Sequence, residues 1–381
     1  MTVPREVIWT LRWCARLLLL LAWAAMLSWM IGRLFSDRSF WTQFLFWMPS
    51  WILLSGAGLC FSLCAAIDLV AFPRPRAGAP AAGPRAPDGV MSRRWRRFAW
   101  VVWGVMVLAM LFGEFRVHRA VLPRERDPSA LRILAWNPSE WPPSVEEAIA
   151  AHEPEVVLIS NPPWRSPLST LASRVGTTSS AVMERFACLS KHRVLGWAWL
   201  ELDVSGAKLR TFTWKGGGYT THDVGQAMLL RLDTTEKLGR PITVWIIDLP
   251  SDWDIPRQRM MTEAAAAIKR FRGPAYRRTE DGLDAIDSTF GPSHPLMQPD
   301  IAAGDFNTPR GSRSIATLLP NMHHAHTDAG WGPDMTYPRR PALLAIDHVF
   351  LAPSLRATRY SVRDAGVGKH RLQVAEVVPR K

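Results

Sequence analysis

The chain has 381 residues, a net charge of +13 and four cysteines, enough length for a membrane region and one sizeable globular domain. Residues 1–115 carry 12 Arg against 5 acidic residues, and the remainder carries a similar excess spread over more than twice the length. Cys14, Cys60 and Cys64 lie in apolar segments and Cys188 alone lies beyond them, which excludes an internal disulfide or a cysteine zinc site in the C-terminal part.

Three apolar stretches open the chain, at about residues 10–32, 43–72 and 98–115. A helix needs roughly 20 residues to cross the bilayer core, so each is expected to be a transmembrane helix, the first and third with help from interfacial flanks. Many of the chain's 19 Trp residues sit in or beside these stretches, where an apolar ring with a wet N–H favours the membrane interface. A cleaved signal peptide is the rival reading of the first stretch, but no small-residue cleavage site follows it and two further apolar stretches do. Residues 73–97 are rich in Pro, Ala, Gly and Arg and cannot bury a core. Because basic loops stay inside, this loop and the N-terminus with Arg5, Arg12 and Arg16 are expected in the cytoplasm. Three spans then carry residues 116–381 to the other side, outside the inner or plasma membrane of a bacterial cell.

From Leu131 the pattern changes. The short apolar run Leu131–Trp136 ends at Asn137. Ser144 followed by Glu147 predicts a capping box and a helix to about His152. Glu155–Ser160 reads as a buried strand ending at Asn161. Further strands are expected over residues 209–214, 227–232, 242–247, 301–303, 345–351, 358–362 and 372–378, with helices over 257–271 and 312–319. Residues 273–299 are polar and contain Gly and Pro, so they read as a surface loop. Many strands with a few interspersed helices predict a layered α/β domain.

The order of several short segments carries a resemblance. "LRILAWN" (131–137), "EPEVVLISN" (153–161), "GQAMLLR" (225–231), "VWIIDLPS" (244–251), "AAGDFNTP" (302–309), "TDAGWGPDMTYP" with "AIDHVF" (327–350) and "GKHRLQVAEV" (368–377) follow one another as do the signatures of the endonuclease/exonuclease/phosphatase family, which this part of the chain resembles. The resemblance implies a four-layered α/β sandwich, two central β-sheets flanked by helices, cleaving phosphate esters with Mg²⁺ or Mn²⁺. It implies that Asp305 orients water, that Asn307 holds phosphoryl oxygens, that Asn137 touches the metal or substrate, and that Asp347 holds the tautomer of His370, which donates to the phosphate. Three positions depart from the pattern: Asn161 stands where a metal-binding Glu is expected, Asp248 where the strand-ending His is expected, and Lys369 where an Asp is expected.

Three readings of the chemistry follow. A metal binds through Asn137, Asn161, Asp305, Asn307 and Asp248; or Lys369 takes over part of the metal's role as a point charge on phosphate and no metal is used; or the site only binds and the domain is a membrane scaffold. The substrate class stays open among nucleic acid, a lipid headgroup and a small phosphate ester. Outside the motifs, His323, His324 and His326 read as a polar surface loop, His348 as structural, Trp136 and Trp164 as core, and Lys215–Tyr219 as a hairpin tip. Ser139 and Ser160 lack a partner pattern for a nucleophile.

Overall fold

The computed structural model describes residues 4–71, 92–121, 126–139, 144–162, 168–214, 217–279, 282–287 and 293–380. Within the expected basic loop, residues 73–91 lie outside the described residues, as does Trp164. The chain divides into two units, Met1–Ser36 with Trp41–Phe115, and Asp37–Phe40 with Arg116–Lys381.

The first unit is helical: α1 (Arg5–Phe35), α2 (Phe40–Trp47), α3 (Ser50–Ala71) and α4 (Arg93–Leu108), the last continued by a π-helical turn over Ala109–Glu114. Three segments are long and apolar enough to cross a membrane: Glu6–Phe35, Ser50–Val70 and Arg94–Glu114. The expected second stretch is divided, because Pro49 separates α2 from α3. Proline is tolerated before the first turn of a helix but not in its interior. Small side chains face inward, with Ala22, Ala57 and Ala99 fully buried, while Leu20, Leu59 and Val101 point outward. A Cβ at Gly58 would lie 2.8 Å from the Trp103 ring, the close approach that small residues permit between apolar helices. Where α1 ends and α3 begins, Arg33 and Ser50 both donate to Glu114 Oε2, at 2.8 and 2.7 Å. Arg96 pairs with Asp68 at 3.4 Å.

The second unit is a four-layered α/β sandwich. In chain order it contains β1 (Leu131–Trp136), α5 (Val145–Ala150), β2 (Val156–Ser160), α6 (Leu168–Val175), β3 (Ser179–Met183), β4 (Phe186–Ser190), β5 (Val194–Glu201), β6 (Leu209–Trp214), β7 (Gly217–His222), β8 (Gln226–Leu232), α7 (Thr235–Leu238), β9 (Ile242–Asp248) and α8 (Arg257–Arg270). There follow β10 (Ala275–Thr279), β11 (Gly282–Asp287), β12 (Ile301–Asp305), α9 (Ile315–Leu318), β13 (His323–His324), α10 (Ala325–Ala329), β14 (Asp347–Leu351), β15 (Leu355–Arg363) and β16 (Leu372–Pro379). One sheet has the order β15-β16-β1-β2-β4-β3, and the other β11-β10-β5-β8-β9-β12-β14-β13.

Strand alternation builds the layers. Ile133, Leu158, Met228, Ile246 and Ala303 point between the sheets into one core. Their neighbours Leu134 and Ile159 face a core shared with α5 and α6, and Trp245 and Ala302 face one shared with α8 and α9. Both faces of the central strands are therefore dry, which is why they read as continuous apolar runs rather than alternating ones.

Three local expectations change. Within the expected loop, Ala275–Thr279 and Gly282–Asp287 pair as the antiparallel strands β10 and β11, with Ala275 and Tyr276 paired to Ala198 and Trp197 of β5; their polar sequence is that of a sheet edge. Ser144 caps α5 without a side-chain hydrogen bond, so no capping box forms. His324 and His326 are buried rather than on a surface loop. Residues 215–216 lie outside the described residues, between β6 and β7, which pair as a hairpin.

Gly304 sets the contact between β9 and β12. It adopts φ +131°, and a Cβ there would lie 2.1 Å from the Ile247 carbonyl oxygen. Gly304→Ala is expected to destabilise the protein by at least about 1–3 kcal/mol, read as a lowered midpoint in chemical unfolding of the full chain in detergent.

Candidate functional site

Register across three neighbouring strands assembles the site. Asp305, the last residue of β12, lies opposite Asp248 of β9 on one side and Asp347 of β14 on the other. Because side chains alternate, each of these aspartates shares the face of an inter-sheet core residue two positions away: Ile246, Ala303 and Val349. The three carboxylates therefore emerge in a row at the end of the dry inter-sheet layer, and all three are buried.

The other sheet supplies amides. Asn137 follows β1 and Asn161 follows β2. Asn161 has φ +52°, a left-handed conformation that Asn tolerates better than most residues. Asn137 Nδ2 donates to Asp305 Oδ2 at 2.9 Å. Asn161 Nδ2 donates to Asn137 Oδ1 at 3.3 Å and to Asp248 Oδ2 at 3.0 Å. The Asn307 backbone N–H donates to Asp305 Oδ1 at 2.9 Å, and its side chain donates to the Leu249 carbonyl at 2.7 Å.

His370 Nδ1 donates to Asp347 Oδ2 at 2.9 Å and lies 3.9 Å from Asp305 Oδ2. Trp136 Nε1 donates to the His370 carbonyl at 2.9 Å, and the Tyr337 ring packs on the imidazole with centroids 4.7 Å apart. Trp136 is otherwise core. Thr336 Oγ1 accepts from the Asp347 backbone N–H at 3.1 Å. Burial works against the charged imidazole, but the Asp347 carboxylate outweighs it and raises His370 to about 9. Burial and the neighbouring Asp347 hold the Asp305 carboxyl well above its ordinary range. Burial pushes Asp248 up to about 6 against the pull of Arg185.

The structure thus joins Asn137, Asn161, Asp248, Asp305 and Asn307 by hydrogen bonds, and sets the hydrogen-bonded pair Asp347–His370 against them at ion-pair distance from Asp305. Among the described residues, no ion pair joins Lys369 to the carboxylate row. Lys369 is exposed, its backbone N–H donating to the Pro138 carbonyl at 2.9 Å, and among the described residues the cation in ion-pair range of Asp305 is His370. Two further residues, attached to this group, carried no motif in the sequence. Arg185 Nη1 donates to Asp223 Oδ1 at 2.8 Å and to Asp248 Oδ2 at 3.3 Å. Arg185 lies in the turn between β3 and β4 and Asp223 in the link between β7 and β8, and only the three-dimensional contact singles them out.

The donor set suits a hard cation, which prefers oxygen ligands. Among the described residues, four acids (Asp223, Asp248, Asp305 and Asp347) face two cations, Arg185 and His370. Asp347 Oδ1 is buried and accepts no hydrogen bond. Asp305, Asp347 and His370 come within 4.8 Å of one another, but with its Nδ1–H on Asp347 the imidazolium is a counter-ion there, and the carboxylates are the candidate ligands. Uncompensated negative charge in a dry place is what a cation relieves.

Behind this row lies a second histidine group. His348, on the opposite face of β14 from Asp347, donates from Nε2 to the Thr308 carbonyl at 2.7 Å. Its Nδ1 must then accept, and it takes the Nε2–H of His324 at 3.2 Å. His324 Nδ1 in turn accepts from the His326 backbone N–H at 3.0 Å. Both imidazoles are neutral, burial lowering His348 to about 4 and holding His324 well below its ordinary range. This chain holds the loop after Asn307 and is structural.

The sequence matches the profile of the "Endonuclease/Exonuclease/phosphatase family" over residues 139–369. The chain belongs to that family. Asn137 and His370 stand just outside the matched span. Similar solved structures include a functionally unknown conserved protein from Enterococcus faecalis V583, 15% identical, covering 65% of this chain and 100% of that one with a TM-score of 0.41. An endonuclease/exonuclease/phosphatase from Beutenbergia cavernae DSM 12333 is 14% identical, covering 65% and 71%, with a TM-score of 0.40. Truncated Caenorhabditis elegans TDP2 is 12% identical, covering 65% and 97%, with a TM-score of 0.38. No curated protein matches the sequence.

The raised value of His370 has a definite sign. Its imidazolium stabilises the fold fully below about 6.5 and ceases to do so as pH rises through about 9. The unfolding midpoint is expected to fall between pH 6.5 and 9, and to fall less in Asp347→Asn, in thermal unfolding measured across that range.

Proposed function

We propose that the chain is a membrane-anchored phosphoesterase, its domain outside the cytoplasm, hydrolysing phosphodiester or phosphomonoester bonds with Mg²⁺ or Mn²⁺. The reading is carried by the buried row of Asp248, Asp305 and Asp347 with His370 tied to its last member. His370 is charged at neutral pH. With Nδ1 engaged by Asp347, its Nε2–H is the group left to meet a phosphoryl or leaving oxygen, and charge-assisted hydrogen bonds of this kind are the strong ones. Asp305 orients a water and takes its proton, which its raised affinity for protons favours. Asn307 is fixed by its bonds to Asp305 and Leu249 and meets phosphoryl oxygens, while Lys369 at the exposed edge draws the anion in. A divalent ion held by Asp305 and the amide oxygens of Asn137 and Asn161 would neutralise phosphoryl charge. With Asn161 and Lys369 in place of two acids of the family pattern, that ion is held more weakly than in relatives that keep them.

The same replacement favours a second reading, a catalytically inactive module that binds phosphate esters at the membrane. Hydrolysis of a generic phosphodiester and of a phosphomonoester by the full chain, with Mg²⁺, with Mn²⁺ and with EDTA, separates the two. The expected outcome is metal-stimulated turnover that drops about 10²–10⁴-fold in His370→Ala; no turnover above that of His370→Ala under any condition leaves the binding module. The substrate, whether nucleic acid, a lipid headgroup or a small molecule, is the one each assay rewards.

The orientation rests on the arginines of the N-terminus and of residues 73–97. In intact bacterial cells, a cysteine introduced at exposed Ser129 is expected to react with a membrane-impermeant maleimide. Labelling only after lysis places the domain inside.

A further inference from the structure

The family pattern asks for an acid at the end of β2, where this chain has Asn161. Yet an acid lies beside it, since Asp248 Oδ2 accepts from Asn161 Nδ2 at 3.0 Å. That acid is held in turn by Arg185, which also binds Asp223. The Asn161 backbone N–H donates to the Arg185 carbonyl at 2.7 Å, so the two residues are joined by backbone while their side chains converge on the same Asp248 oxygen. Asp223, Arg185, Asp248, Asn161, Asn137 and Asp305 thereby form one unbroken chain of polar contacts that crosses between the two sheets.

The chemistry of each link leaves little choice. Asp248 is buried, and a buried carboxylate needs donors. It receives one from the guanidinium and one from the amide. Both hydrogens of the Asn161 amide are used, on Asp248 and Asn137, so Oδ1 is the atom left for a ligand. A carboxylate at position 161 would have no hydrogen to give. It would place a second negative charge against Asp248, and like charges sharing a dry site repel.

We propose that Arg185 is a positioning residue of this site. With Asp223 it holds the Asp248 carboxylate against the Asn161 amide, so the acid at 248 requires a neutral residue at 161, and β9 supplies the carboxylate that β2 lacks. The two departures from the family pattern are one coupled change. The site is rebuilt, and its cation-binding use rests on the function proposed above.

The test is a set of variants of the full chain in detergent, read by thermal unfolding and by Mn²⁺ binding through the electron paramagnetic resonance signal of the free ion. Asn161→Gln has the length and backbone demand of Glu without its charge and is the reference for Asn161→Glu. Asn161→Glu is expected to unfold earlier than Asn161→Gln and to bind Mn²⁺ no better than the wild type. Adding Asp248→Asn to Asn161→Glu is expected to restore the midpoint and tighten Mn²⁺ binding by at least about tenfold over Asn161→Glu alone, the size of coupling seen between contacting residues. Arg185→Gln is expected to lower both readouts, Asp248→Asn to rescue the midpoint in that background, and Arg185→Lys to recover it in part because the charge is kept and the fork lost. Asn161→Glu binding Mn²⁺ tenfold tighter than wild type at the midpoint of Asn161→Gln overturns the proposal, as does an Arg185→Gln variant unchanged in both readouts. A wild type that binds no Mn²⁺ defeats the cation use alone. The thermal cycle then decides the coupling: additive changes at 161 and 248 overturn it and non-additive ones support it.

Discussion

Everything chemical in this domain depends on one alignment, the register that sets Asp305 of β12 opposite Asp248 of β9 and Asp347 of β14. A slip of one residue in any of the three strands would turn its aspartate to the other face of the sheet. The register is secured by apolar side chains that are completely buried on both faces of β9 and β12, and by the glycine that lets those strands approach. The same core that holds the fold together therefore aims the carboxylates.

That alignment concentrates charge in a place where charge is expensive. The protein answers with partners rather than with solvent: an imidazolium on Asp347, a guanidinium on Asp248, and amide and backbone N–H groups on Asp305. Removing one partner from a buried charge is far more damaging than removing both. The neutral amides of Asn137 and Asn161 belong to this accounting, since they join the two sheets without adding to the negative charge.

Much of this was legible in the sequence. The apolar runs at 131–136, 155–160, 242–247 and 301–303 announce strands, and Asn137, Asn161, Asp248 and Asp305, at or just past their ends, are where strand periodicity and motif order agree. What escaped was whatever lacks a period or a motif. The edge strand pair β10–β11 is polar because it lies at the sheet's margin. The break between α2 and α3 turns on one proline. Arg185 is one of many arginines until its contact with Asp248 is seen, and the exposure of Lys369 beside buried His370 is a matter of one residue's turn of the backbone. His324 and His326 read as surface because histidine is polar, whereas the fold spends their protons internally.

The two neighbours on β14, Asp347 and His348, point to opposite sides of the sheet, and each governs a histidine group that titrates in the opposite sense. Acid threatens the neutral pair, since a second proton on His348 or His324 would set two donors face to face along the chain that reaches Thr308. Alkali threatens the charged partner of Asp347. With one group held down to about 4 and the other raised to about 9, a single strand brackets the proton concentrations over which the loop behind Asn307 and the imidazolium in front of it are both in order.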